Sequence, residues 1–147
     1  VKRFVFALER IRQWRIREYE VQEEDFRRLL AEQDAVVQAA RQLEAAERQA
    51  CQELLSQAAM DAESLHSLER WRSYSTRESA RLKHRARQMA DRIRSQQGAL
   101  ARAYQKVQSL NLLREKQEAA WRAALDREEE KLVQELVVAR WRSAASD

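Results

Sequence analysis

Proline is absent from this chain of 147 residues, and glycine occurs once, at Gly98. A chain with so few breakers either makes very long helices or stays disordered. One glycine cannot build a phosphate-cradling loop, which excludes the common nucleotide-binding motifs. The lone Cys51 cannot form an intramolecular disulfide; a reduced, partly buried thiol in a cytosolic chain is expected. No apolar run approaches the roughly 20 residues needed to cross a bilayer. Lys2 and Arg3 are followed by no apolar core of a secretion signal, so none is expected. His66 and His84 stand alone, with no second ligand at metal spacing and no serine or cysteine nucleophile arranged beside them. The acid clusters at 23–25 and 128–130 lie around a helix cylinder, where they stay solvated. Catalysis needs a concave, water-poor pocket. The expectation is therefore a non-enzyme with no cofactor and no metal.

What the chain does have is Ala, Glu, Gln, Arg and Leu throughout, with 35% charged residues, the composition of a long helix or coiled coil. Apolar residues recur every three or four positions. One series runs Phe4, Leu8, Ile11, Trp14, Val21, Phe26, Leu30, Val37, Ala40, Leu43, Ala50 and Leu54. A second runs Leu82, Met89, Ile93, Leu100, Tyr104, Val107, Leu110, Gln117, Trp121, Leu125, Leu132 and Leu136. Both stripes are diluted by alanine and polar residues, which suits a two-helix coiled coil rather than a globular core. Between them, in Ala58–Ser67 and the serine-rich stretch 70–79, the period fails, and Asp61 and Ser64 are good helix N-cap types. The fold class expected is all-α, a long antiparallel two-helix coiled-coil hairpin in a single domain over 1–147. Helix 1 is placed at about 3–58, a turn or short helix at about 58–69, and helix 2 at about 70–140.

Charge is segregated along the chain. Residues 1–17 carry a net +5, residues 18–60 a net −6 and residues 70–94 a net +7, within an overall +4. A reversal between the last two stretches lays acidic beside basic, so opposite charges are expected to pair across the seam. Folding near Glu63 sets Phe4 beside Trp121 and leaves the chain beyond about residue 125 projecting. That end carries Leu132, Val133, Leu136, Val137, Val138 and Trp141, and exposed apolar surface of this kind marks an interaction site. Two other readings have a basis in the residues. The stretch 70–94, with Trp71 and Tyr74 among its bases, has the look of a nucleic-acid surface, though the acidic arm is expected to cover it. Lys2–Arg17, with Phe4, Phe6, Leu8, Ile11 and Trp14, has that of a membrane-surface helix.

In three places the residues resemble those of the flagellar export protein FliJ family. The opening KRFVFALERIRQWRIREYE is similar to that family's N-terminus; ERWRSY at 69–74 resembles a segment near the hairpin apex of an enterobacterial member; and the stretch from Leu110 to Arg142 is similar to its C-terminal helix. Length and two-arm layout agree as well. The resemblance implies a cytosolic component of the flagellar type III export apparatus, an antiparallel coiled coil similar to the stalk of rotary ATPases. Its paired ends would occupy the ring of the export ATPase, FliI, and the part nearer the apex would contact the export gate protein, FlhA. Export chaperones are further partners, and the association with the inner membrane would run through these partners. The gate-binding patch would fall at Leu43, Glu47, Ala50 and Leu54 on one arm and Arg77, Arg81, His84 and Gln88 on the other. At most of these positions the side-chain type departs from the enterobacterial pattern. The ATPase-ring end is expected to be formed or supported by Phe4, Leu8, Ile11, Trp14, Leu132, Leu136 and Trp141. The equivalent stalk of a virulence injectisome shares this architecture; a scaffolding coiled coil and a nucleic-acid-binding hairpin remain as alternatives of other classes.

Overall fold

A computed structural model describes residues 2–57, 59 and 61–146. The protein is all-α. Two long helices, α1 (Glu9–Leu55) and α2 (Ala62–Ala145), make up almost all of it, with no strand among the described residues. The contacts gather into two compact units, one joining Val1–Tyr19 to Ala103–Asp147 and the other formed by Glu20–Arg102. In each unit a stretch of α1 lies antiparallel to a stretch of α2.

α1 starts at Glu9 rather than near residue 3. Residues 2–6 lie outside any helix, and their burial alternates: Phe4 and Phe6 are covered while Val5 is exposed. No Ser, Thr, Asp or Asn precedes Phe4 to cap a helix there, and Phe4 and Phe6 gain more by packing than a helical turn would give them. The first helical turn instead carries Glu9, whose negative charge suits a helix N-terminus.

α1 ends without glycine or any positive-φ residue among those described. Ser56 bends its hydroxyl back onto the carbonyl of Glu53 at 2.7 Å, offering the last turn an alternative partner. Of the expected reversal at 58–68, Ala58 and Met60 lie outside the described residues. The rest of it is mostly helix, because α2 begins at Ala62, well before residue 70. Asp61 is the reason: its Oδ1 accepts a hydrogen bond from the amide of Ser64 at 2.8 Å, the N-cap geometry. The serine-rich stretch 70–79 then continues the helix, since serine's small propensity deficit is outweighed by the packing of Leu68, Trp71 and Ser75. Ser75 is 1% exposed.

The hydrogen bonds from Ser64 hold the Asp61 carboxyl below its usual range. Its contribution is therefore present above the ordinary aspartate pKa of about 3.9 and lost as pH falls through the lower folded value. Asp61→Ala is expected to speed hydrogen exchange a few-fold at the amides of Ser64 and Leu65 at neutral pH, whereas Asp61→Asn preserves protection. Equal exchange in all three proteins contradicts this role.

In the unit Glu20–Arg102 the seam is a strict three-four alternation. On α1 it takes Gln22, Phe26, Leu29, Gln33, Val36, Ala40 and Leu43, and on α2 Leu82, Ala86, Met89, Ile93 and Gln96, all buried or half-buried. Val21, Leu30 and Val37 from the expected stripe are exposed instead, as are Ile11, Trp14, Tyr104 and Gln117 in the other unit. A stripe drawn through the largest apolar residues steps by five from Val21 to Phe26 and by four to Leu30 where the seam takes three to Leu29, and so drifts off the interface. The real seam keeps its period by accepting glutamines. The Gln96 amide donates to the Gln22 side-chain oxygen at 2.7 Å and to its backbone carbonyl at 3.1 Å. A polar layer of this kind fixes register, because sliding the helices would strand its donors among apolar neighbours.

The expected pairing of opposite charges across this seam is not found. Within the unit Glu20–Arg102, no ion pair among the described residues joins α1 to α2. Arg27 pairs with Glu23, Arg28 with Asp25, Arg81 with Glu78 and Arg94 with Asp91, each on its own helix. Partners three or four residues away are already on the same face, so local pairing wins. Gly98 marks no close approach either: a Cβ there would meet only the guanidinium end of Arg102, at 3.4 Å.

Candidate functional site

The unit formed by Val1–Tyr19 and Ala103–Asp147 is held by aromatic and polar contacts rather than by a deep core. Phe4 lies against Trp121 with ring centroids 6.0 Å apart, and Tyr19 against Tyr104 at 5.9 Å. Arg12 Nε donates to Asn111 Oδ1 at 2.7 Å and Arg12 Nη1 to Glu9 at 2.9 Å. Glu9 Oε2 also faces Arg114 Nε at 3.8 Å, an ion pair too long for a hydrogen bond. The last contact of this series joins Lys2 Nζ to Glu128 at 2.6 Å and holds the Glu128 carboxyl low.

Beyond Leu125, every described residue of α2 to its end is exposed, the surface pair of Glu128 with Lys2 included. Leu132, Val133, Leu136, Val137 and Trp141 range from 58% to 74% exposed. At about 100° per residue they spread over one half of the helix, with Glu129 and Arg140 in the same half near its two ends. This is an amphipathic helix with its apolar side bare.

The residues expected at the ATPase end divide into three groups. Phe4 and Leu8 are half-buried and support the N-terminal segment on α2. Ile11 and Trp14 are exposed on α1, with the Arg15 guanidinium stacked over Trp14 at 4.6 Å. Leu132, Leu136 and Trp141 lie on the bare helix. The structure thus brings Phe4 to Trp121 and half-buries Leu8, but leaves Ile11, Trp14, Leu132, Leu136 and Trp141 exposed. Phe6, 5% exposed, is the anchor that the helical reading of the N-terminus hides; its signal is the alternation of Phe4, Val5 and Phe6. With Phe4 and Phe6 covered and α1 beginning at Glu9, the alternative of a continuous membrane-surface helix over Lys2–Arg17 does not form.

The two halves of the expected gate-binding patch are not brought together. In the unit Glu20–Arg102, Leu43, Ala50 and Leu54 are half-buried in the seam, and Glu47 edges it. Arg77, Arg81, His84 and Gln88 are exposed on the side of α2 turned away from Leu82, about 140° round the helix at roughly 3.6 residues per turn. Both rows keep heptad spacing, but the row on α2 lies on the face turned away from its buried Leu82. Arg81 is committed to Glu78, with Nε at 3.0 Å from Oε2, which holds the Glu78 carboxyl low.

Two grooves open along this seam. One, of 330 Å³, lies between Val37, Leu43 and Glu47 on α1 and Leu82 and Lys83 on α2. The other, of 400 Å³, is lined by Glu47, Cys51 and Gln52 facing Leu68 and Trp71. Trp71 stacks on Tyr74 at 5.6 Å, and its indole N–H is buried without a hydrogen-bond partner. Cys51 is a free, half-buried thiol.

No helix among the described residues is long and apolar enough to cross a membrane, and none of them group as three or more metal-ligand side chains. Comparisons with protein families, with curated proteins and with solved structures return no match.

Proposed function

We propose that the protein is a non-catalytic, cytoplasmic component of the bacterial flagellar type III export apparatus, a stalk of the FliJ kind. The unit containing both the N-terminal segment and the distal part of α2 would insert into the export ATPase ring, and the unit Glu20–Arg102 would engage the export gate and the export chaperones. The observation that carries this reading is the bare apolar helix beyond Leu125. Its near end is fastened by Phe4 on Trp121 and by Lys2 on Glu128, and its far end offers Leu132, Leu136 and Trp141 to a partner. A ring lumen supplies the encircling, water-excluding surface that such a helix lacks within its own chain. The gate-facing surface is better drawn along the grooves at Leu43, Glu47, Ala50 and Leu54 than on the opposite face of α2.

The test is a pull-down with the flagellar export ATPase, read as ATP turnover with and without this protein. Increased turnover and co-sedimentation support the reading; no association with the ring contradicts it. Substituting an injectisome ATPase separates flagellar from virulence use. One observation favours a second reading. The bases of α2 between Arg70 and Arg94 are exposed with no acid of α1 bonded to them. A nucleic-acid-binding hairpin would bind with a steep dependence on salt in a filter-binding titration.

A further inference from the structure

The bare helix has a charge order that its apolar side alone does not require. Along Asp126–Arg142 the first end holds Asp126, Glu128, Glu129 and Glu130 against Arg127 and Lys131, a balance of −2, Glu135 stands in the middle, and the other end holds only the bases Arg140 and Arg142. Leu132, Val133, Leu136 and Val137 lie between them, with Trp141 beside the basic end. The row of apolar residues is continuous with an interface already made. Trp121 and Leu125 are half-buried in the seam of their unit, and a step of seven from Leu125 leads to Leu132, beyond the last recorded contact, Lys2 to Glu128, with Leu136 one turn further on.

We propose that a second copy of this chain docks on this face, tail to tail and antiparallel, about a two-fold axis near Leu136. The sequence is self-complementary in that arrangement alone. Pairing about position 135, next to Leu136, sets Val133 level with Val137 of the other copy, Glu130 level with Arg140 and Glu128 level with Arg142. A parallel pair would set Glu130 beside Glu130 and Arg140 beside Arg140, and like charges flanking a two-helix seam oppose association. The interface is isologous, so every favourable contact occurs twice, and the assembly closes as a dimer rather than growing. It buries the residues that are most exposed in the single chain, Leu136 at 69% and Trp141 at 74%. The pairing stands on this face alone, whether or not an export ATPase is the physiological partner. Where it is, ring and second copy compete for Leu136.

Sedimentation equilibrium of the full chain, from micromolar to submillimolar concentration, reads the association directly. The expected result is a reversible monomer–dimer equilibrium. Leu136→Glu is expected to weaken it at least tenfold without loss of helicity, because this side chain is exposed in the single chain. Glu130→Arg and Arg140→Glu are each expected to weaken it several-fold, and the two together to restore it. In a Cys51→Ser background, Leu136→Cys is expected to form a disulfide dimer readily and Trp141→Cys to do so poorly. A chain that stays monomeric throughout the range overturns the proposal. So does a dimer indifferent to Leu136→Glu, a charge swap that fails to restore, or faster cross-linking at position 141, which would indicate parallel pairing.

Discussion

A chain ending at Ala124 is expected to lose its stimulation of the flagellar export ATPase entirely while remaining helical. The truncation removes the bare amphipathic segment, including Leu132, Leu136 and Trp141, but keeps Trp121 as the platform for Phe4. It deletes only exposed helix together with half-buried Leu125 and the surface ion pair of Lys2 with Glu128. Exposed pairs of this type contribute little to stability, so the remaining seam should keep its cooperative unfolding. ATP turnover by the ring with full-length and truncated protein, alongside circular dichroism of both, separates lost docking from lost folding. Full stimulation by the truncated chain removes the bare helix from the docking account.

Met89→Ala is expected to destabilise the chain by about 2–4 kcal/mol, the usual cost of emptying a buried methionine site. Met89 is 3% exposed in a seam whose other buried apolar residues are few. Val36, Leu82 and Ile93 are the other members of that group in the same unit. Two helices offer no third layer to collapse into the vacated space, which puts the effect toward the upper part of that range. Leu112→Ala provides the contrast, since Leu112 is 62% exposed and its loss should change stability by less than about 0.5 kcal/mol. Urea unfolding of the two variants measures both. Equal effects would mean that the seam has another register.

Much of the fold was legible because composition constrains it so tightly. Absent proline and a single glycine leave long helices, and the thin apolar stripe selects pairing over a globular core. Phe26, Leu43, Leu82, Met89 and Ile93 are read correctly because they are apolar and lie on the heptad. Leu29 and Gln22 are missed because the interface repeats every seven residues whether or not the residue is apolar, and an eye drawn to Leu30 and Val37 leaves the row. The N-terminal boundary is missed because Phe4 and Phe6 read equally well as the first turn of a helix or as alternating anchors, and only the surface they meet decides. Asp61 was recognisable as a cap type, yet the serines after residue 70 obscured how early α2 begins.

The docking surfaces were less legible. The bare helix follows from simple geometry once the fold-back is placed near Glu63. Which side of α2 faces α1 does not, because bases populate most of its circumference and two rows at heptad spacing look alike in sequence. The row Arg77, Arg81, His84 and Gln88, which the family resemblance groups with Leu43 and Leu54, lies on the other side of α2 from Leu82. Charge segregation misled in a related way. Regional balance shows that acidic and basic stretches run side by side, but whether a given Glu meets an Arg across the seam or four residues along its own helix is a matter of distance. In the unit Glu20–Arg102 the local partner is nearer.

The central claim is that α1 and α2 of a single chain pair antiparallel, with Arg41 and Lys83 bordering the same groove. Spin labels at these two positions in a Cys51→Ser chain, diluted with unlabelled protein so that only distances within one molecule are read, test it directly. With helix axes about 8–10 Å apart, the account predicts a narrow distribution centred at or below roughly 25 Å. A broad distribution, or one centred far beyond that distance, would contradict it.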